Sequence, residues 1–238
     1  MQRGWQFLND VTRRALSLIY PEVCEVCGRP LLRGEELMCL HCWRGLPRTR
    51  CHENEFNIVH ERLASTTPIF RAAVLFYYYK NSGYASLIHQ AKYSHRPVVA
   101  QKLASRFARE IKASGFFEGI DVILPVPLHR VKLIKRGYNQ SCYIATGLSK
   151  ETGIEAADNL VAKRGHSTQT VKGSFQRWIN AQGIYEVENP DELEGKHVLV
   201  VDDVITSGAT MLACCEALHK ACPSVCISVL ALAVTHLD

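Results

Sequence analysis

Two adjacent carboxylates followed by a hydroxyl-rich turn stand out in the stretch 198–210, VLVVDDVITSGAT. Asp202 and Asp203 are hard oxygen acceptors, suited to a set of neighbouring hydroxyls or to a hydrated Mg²⁺. Thr206, Ser207, Gly208, Ala209 and Thr210 offer the complementary chemistry. Their backbone N–H groups and hydroxyls donate to an anion, and Gly208 permits a close backbone approach. Acids for hydroxyls and a turn for phosphate together describe a sugar phosphate. A bare Asp-Asp and Thr-Ser-Gly would serve equally as an ordinary turn with a Thr206 or Ser207 cap. Upstream, His129, Arg130, Lys132, Lys135 and Arg136 form a cationic run matched to a pyrophosphate, or alternatively a solvated basic loop.

A second chemistry lies near the N-terminus. Cys24-x2-Cys27 and Cys39-x2-Cys42 are two knuckles separated by eleven residues, a spacing that brings four thiolates to one tetrahedral Zn²⁺. Four thiolates leave no open position, so the expected site is structural. His41 and His52 are alternative ligands, but the paired knuckles are simpler. Cys51, Cys142, Cys214, Cys215, Cys222 and Cys226 fall in helical or strand-like patterns and read as small buried hydrophobes. Trp43 with Arg44, Arg48 and Arg50 would give the module a rim able to hold single-stranded DNA, or Trp43 would simply cover the metal site.

These groups need elements to hold them. The runs VILPV, HVLVV and ISVLALAV are continuously apolar, as in strands covered on both faces. Helical patterns separate them near 84–93, 97–114, 139–150 and 209–220, which predicts an open parallel α/β sheet with helices on both faces. Strands are expected at 69–79, 120–126, 197–201 and 225–234. Both anion-binding segments would then follow strand carboxyl ends, where open parallel sheets bind ligands. The chain divides into an amphipathic helix in 1–20, a zinc-ribbon-like cysteine module in 21–65 and the α/β domain in 66–238.

With 238 residues, 47% hydrophobic and 21% charged, the chain fits a medium domain plus a small module and is not of disordered composition. The formal charge of +5 accords with phosphorylated ligands without requiring them. Asn9, Asp10, Arg13 and Arg14 interrupt the apolar run a signal peptide needs, and no stretch is long enough to span a membrane. The expected location is cytoplasmic, where ten cysteines do not imply a disulfide framework.

The stretch 198–210 resembles the phosphoribosyl-pyrophosphate signature of type I phosphoribosyltransferases. With the four-cysteine module, Pro125-Val126-Pro127-Leu128, and Arg136-Gly137-Tyr138-Asn139-Gln140, it is similar in particular to the ComF, or GntX, family of competence-associated proteins. Small departures are Tyr138 where Phe is usual and Ser207 where Thr is common. The resemblance implies a type I phosphoribosyltransferase-like fold that binds 5-phosphoribosyl pyrophosphate with Mg²⁺. Asp202 and Asp203 would hold the ribose hydroxyls, and Thr206, Ser207, Gly208, Ala209 and Thr210 the 5-phosphate. Arg130, Arg136, Gly137 and Lys92 would complete the donor site, although Lys92 would equally serve as a helix C-terminal cap. Arg164, Gln169, Arg177 and Asn180 would lie on a flexible loop closing over the ribose. The implied setting is natural competence and DNA uptake, with competence proteins as partners. Transfer of the phosphoribosyl group to a nitrogen acceptor is one reading; non-catalytic sensing of the sugar phosphate, or single-stranded DNA binding, is the other.

Overall fold

The computed structural model describes residues 22–63, 67–163 and 183–235. The expected helix in 1–20 and the expected loop residues Arg164, Gln169, Arg177 and Asn180 lie outside the described residues. By internal contacts the chain forms two units, divided between Leu46 and Pro47.

The first unit holds the cysteines. Backbone bonds from Cys24 N–H to Arg29 O and from Gly28 N–H to Cys24 O, both 2.8 Å, fold the first knuckle, with Gly28 at φ +71°. The second knuckle opens α1 (Leu40–Arg44). Cys39 provides no side-chain cap, so the Glu35 carboxylate takes that role, accepting from Leu40 N–H and from Leu32 N–H at 2.7 Å each.

In the second unit, β1 (Ala72–Tyr78), β2 (Val122–Pro125), β3 (Glu155–Ala156), β6 (His197–Ile205) and β7 (Cys226–Thr235) form one parallel sheet in the order β1-β7-β6-β2-β3. A separate antiparallel hairpin pairs β4 (Leu160–Ala162) with β5 (Tyr185–Val187). The helices are α2 (Ile58–Leu63), α3 (Ala85–Tyr93), α4 (Val98–Ile111), α5 (Arg130–Arg136), α6 (Gln140–Thr152) and α7 (Ala209–Ala221).

The expected strands and helices of the sheet are present, with ends shifted by a few residues. Two elements differ. The segment 47–63 belongs to the sheet unit rather than to the cysteine module. Its buried Asn57 donates from Nδ2 to Cys51 O (3.0 Å) and to Ala72 O at the start of β1 (3.2 Å), and Val59 and Leu63 enter the core. The cationic run is α5, a helix with no buried residue, rather than a loop.

Alternation along β6 splits the core. Val198 and Val200 pack with α2, α7 and the β4–β5 hairpin, while Leu199 and Val201, also fully buried, face the side covered by α4 and α6. The α4–α6 contact is close: a Cβ on Gly147 would stand 2.4 Å from Gln101 O. The chain leaves β2 through α6 for the β3 edge and leaves β6 through α7 for β7. Right-handed crossovers in opposite directions put these helices on opposite faces, and a crevice opens at the carboxyl ends of β2 and β6. No helix among the described residues is long and apolar enough to cross a membrane.

Candidate functional site

The crevice begins where β2 stops. Its ladder with β6 ends at Pro125↔Val201, since Pro125 and Pro127 have no N–H to continue it. β6 itself continues to Ile205, paired with β7 through Val204↔Ala233 and Ile205↔Val234. β6 thus runs four residues beyond its expected end, and Asp202 and Asp203 are inside the strand, where its β2 side has lost a neighbour. Both are buried.

Three groups hold this pair. Lys92, in the last turn of α3, places Nζ 2.9 Å from Asp203 Oδ1. Ser141, fully buried in the first turn of α6, donates to Asp202 Oδ1 at 3.0 Å, and the Asp203 N–H donates to the same oxygen at 2.8 Å. Burial, then the neighbouring Asp203 charge, pushes the Asp202 carboxyl up to about 7. For Lys92, burial pulls the ammonium down, but the attraction of Asp203 and then Asp202 outweighs it, and the net shift is upward. Among the described residues Asp203 Oδ2 is buried and without a hydrogen-bond partner. An ionised oxygen is costly in that state, so it marks where a hydroxyl or a cation fits.

The turn beyond β6 is shaped as expected. Gly208 is the N-cap of α7 at φ +81°, so the 13-residue helix points its N-terminus at the turn. Thr206 and Thr210 are exposed and Ser207 is half-buried, leaving hydroxyls accessible beside the helix end. Behind the turn, Arg62 of α2 donates from Nη1 to Thr206 O at 2.7 Å, a residue that no motif in the sequence marks.

On the other side of the crevice, Asn139 caps α6, accepting from Ser141 N–H at 3.1 Å and donating to Val126 O at 3.0 Å. The Tyr138 hydroxyl donates to Ala91 O at 2.8 Å, tying the α6 entry to α3. Arg136 donates to Gln140 Oε1 and lies over the Tyr93 ring, 5.3 Å from its centroid. Lys92, Asp202 and Asp203 are thus brought together. Arg130 stands exposed at the start of α5, and Gly137, at φ +83°, ends that helix.

The four knuckle cysteines also converge. The Sγ atoms of Cys24, Cys27, Cys39 and Cys42 all lie within 4.8 Å of one another, and Cys27 Sγ is 3.7 Å from Cys39 Sγ. Tetrahedral zinc thiolate, with Zn–S near 2.3 Å, requires about 3.8 Å between sulfurs, so the cluster fits that ion. Arg29 stands beside it, 3.8 Å from Cys39 Sγ, and its hydrogen bonds pull the Cys27 thiol down to about 6. His52 belongs to the other unit. Of the remaining cysteines, Cys51, Cys214, Cys215 and Cys222 are buried, as expected of small hydrophobes, whereas Cys142 and Cys226 are only half-buried.

Residues 98–236 match the phosphoribosyl transferase domain family. The chain belongs to that family. It is 29% identical over 203 residues to DNA utilization protein YhgH of Escherichia coli strain K12, covering 84% of this chain and 85% of that one. Competence protein ComFC of Bacillus subtilis is 23% identical over 225 residues, covering 87% and 82%. Competence protein F of Haemophilus influenzae is 28% identical over 139 residues, covering 56% and 61%. Among solved structures, an adenine phosphoribosyltransferase overlays 76% of this chain and 90% of its own with a TM-score of 0.41 at 14% identity. The chain is thus homologous to the ComF proteins that the sequence resembles, and to YhgH as well.

The family match begins at residue 98, so the phosphoribosyl transferase domain here draws Lys92 and Arg62 from outside the matched span. The packing of α2 also makes Gly208 demanding. A Cβ there would stand 2.9 Å from Leu63 Cδ2, in a backbone conformation L residues rarely adopt. Gly208→Ala should cost about 2 kcal/mol, backbone strain and overpacking adding. Gly137→Ala, where nothing lies within 4 Å, should cost only the backbone strain of about 1 kcal/mol. Urea denaturation of the two variants checks this; equal losses would contradict the contact with Leu63.

Proposed function

We propose that the chain binds 5-phosphoribosyl pyrophosphate with Mg²⁺ at the carboxyl edge of β2 and β6 and serves in DNA uptake or utilisation. The observation that carries the reading is the buried, unpartnered Asp203 Oδ2 beside Asp202, one strand end away from the α7 N-terminal turn. Asp202 and Asp203 accept from the ribose hydroxyls, and residues Thr206 to Thr210 cradle the 5-phosphate. Lys92 pairs with Asp203 Oδ1 and orients the carboxylate. Arg130 and Arg136 supply charge to the pyrophosphate. Bound Mg²⁺ would supply charge neutralisation for the pyrophosphate; carboxylate oxygens are the donors it prefers. Cys24, Cys27, Cys39 and Cys42 hold a structural zinc ion.

The names of the relatives support the DNA role: DNA utilization for YhgH and competence for ComFC and competence protein F. A direct grip on single-stranded DNA by the Trp43–Arg50 rim loses one member, since Arg48 is paired to Glu110 at 2.6 Å.

Calorimetry tests the donor site. Wild-type protein should bind phosphoribosyl pyrophosphate only with Mg²⁺, and Asp202→Asn/Asp203→Asn should weaken it at least about 100-fold, as expected for charge-assisted bonds to two hydroxyls. Equal binding by both proteins would refute the assignment. A pyrophosphate-release screen over bases and amines then separates roles: release with any acceptor identifies a transferase, and none with all of them a sensor.

A further inference from the structure

The phosphate turn is held from behind by a residue outside the family's matched span. Arg62, in α2, donates from Nη1 to Thr206 O at 2.7 Å and to Ile205 O at 3.3 Å, and lies 3.5 Å from the Thr235 hydroxyl. Its Nη2 donates to Thr235 O at the end of β7. One guanidinium therefore joins the last residue of β6, the first residue of the turn and the neighbouring strand end. The adjacent Leu63, fully buried, lies against the Gly208 Cα from the same side.

The geometry of the peptide bond turns this clamp into a statement about the ligand face. In a trans peptide the C=O and the following N–H point in opposite directions, and the described chain has no cis peptide. The Thr206 N–H belongs to the β6–β7 ladder, but pinning the Thr206 carbonyl onto Arg62 directs the N–H of Ser207 the other way, out of the packed side and toward the cradle. A rigid guanidinium fork reaches the β6 and β7 carbonyls from two separate nitrogens, whereas the three donors of an ammonium share a single nitrogen. Its positive charge also sits behind a site meant for an anion.

From this arrangement we infer that Arg62 is the positioning residue of the 5-phosphate cradle: it touches no ligand and acts by fixing the direction of the Ser207 N–H in the turn. The inference rests on the sugar-phosphate reading above. It assigns function to α2, whose sequence Ile-Val-His-Glu-Arg-Leu carries no recognisable signal, and gives the segment between the cysteine module and the sheet a role beyond connection.

Ligands that do and do not occupy the turn separate positioning from general destabilisation. Ribose 5-phosphate and Mg²⁺-pyrophosphate are titrated into wild type, Arg62→Ala and Arg62→Lys, with urea denaturation of each free protein. Arg62→Ala should lose about tenfold or more in ribose 5-phosphate affinity and less than about twofold for pyrophosphate, the loss of one charged hydrogen bond's worth of order in the turn. Arg62→Lys should fall between, since it keeps the charge and one carbonyl contact; it also decides the matter if the alanine variant does not fold. Unchanged ribose 5-phosphate affinity in the variants, or an equal loss for both ligands, overturns the inference while leaving the donor site intact. Failure of wild type to bind ribose 5-phosphate overturns the sugar-phosphate reading itself, and the role of Arg62 with it.

Discussion

Replacing Lys92 with methionine should destabilise the protein by about 3 kcal/mol at pH 8 and by distinctly less at pH 5. The Lys92 side chain is 24% exposed and that of Asp203 only 4%, with 2.9 Å between their charged atoms. Removing one member of such a pair strands the other, and the loss sits toward the low end of the usual range because water still reaches the lysine. The pH dependence follows from Asp202. Its folded-state pKa is raised, to about 7, so the cost of burying it sets in above the usual aspartate pKa of about 3.9, is only partial at pH 5 and is complete once the pH has passed 7. Lys92 offsets that penalty; its own pKa is raised, so it stays charged across the whole interval. Without it the two carboxylates face each other unneutralised at pH 8, whereas at pH 5 Asp202 has taken up a proton. Urea denaturation of both proteins at the two pH values measures the gap. A gap below about 1 kcal/mol, or one that does not widen with pH, would show that the pair is solvated rather than structural. Adding Asp203→Asn to the variant should recover part of the loss, because the stranded charge is removed with its partner.

The same pair shows what the sequence could and could not disclose. The acids and the turn are contiguous, and their order along a strand and a helix start is readable from periodicity. Lys92 was legible only through family resemblance, since 110 positions separate it from Asp202 and its own neighbourhood, Ala-Lys-Tyr-Ser-His, reads as an ordinary helix end. Where β6 would end was not legible either. The acids break the apolar run after Val201, but strand length is set by pairing, and β7 keeps β6 in register to Ile205. Likewise α5 reads as a loop because every one of its residues is outside the core, so burial leaves no 3.6-residue pattern to detect. The boundary after Leu46 depends on Asn57 reaching Ala72 O, a tertiary contact with no local mark. Arg62 is the extreme case: three of its contacts are carbonyl oxygens, which any sequence supplies.

Chelating the metal should unfold residues 22–46 while the sheet unit keeps its own cooperative transition. The cysteine unit has almost nothing else to hold it: its buried side chains are Cys24, Met38, Cys39, Cys42 and Leu46, and three of those five are thiols of the cluster. Two buried side chains other than the thiols are too small a core to order this segment on their own. Structural zinc in such peptides supplies about 10–16 kcal/mol, so folding and metal binding should be one event. The sheet unit, by contrast, buries its own continuous core from Cys51 to Val234 and does not need the metal. Elemental analysis should therefore find one zinc per chain, lost in Cys39→Ser. After chelation, amide exchange should become fast throughout 22–46 and stay slow in β6 and β7. Zinc-free protein that keeps slow exchange around Cys24 and Cys42 would refute the site, and loss of protection in β6 together with the module would show that the metal stabilises both units.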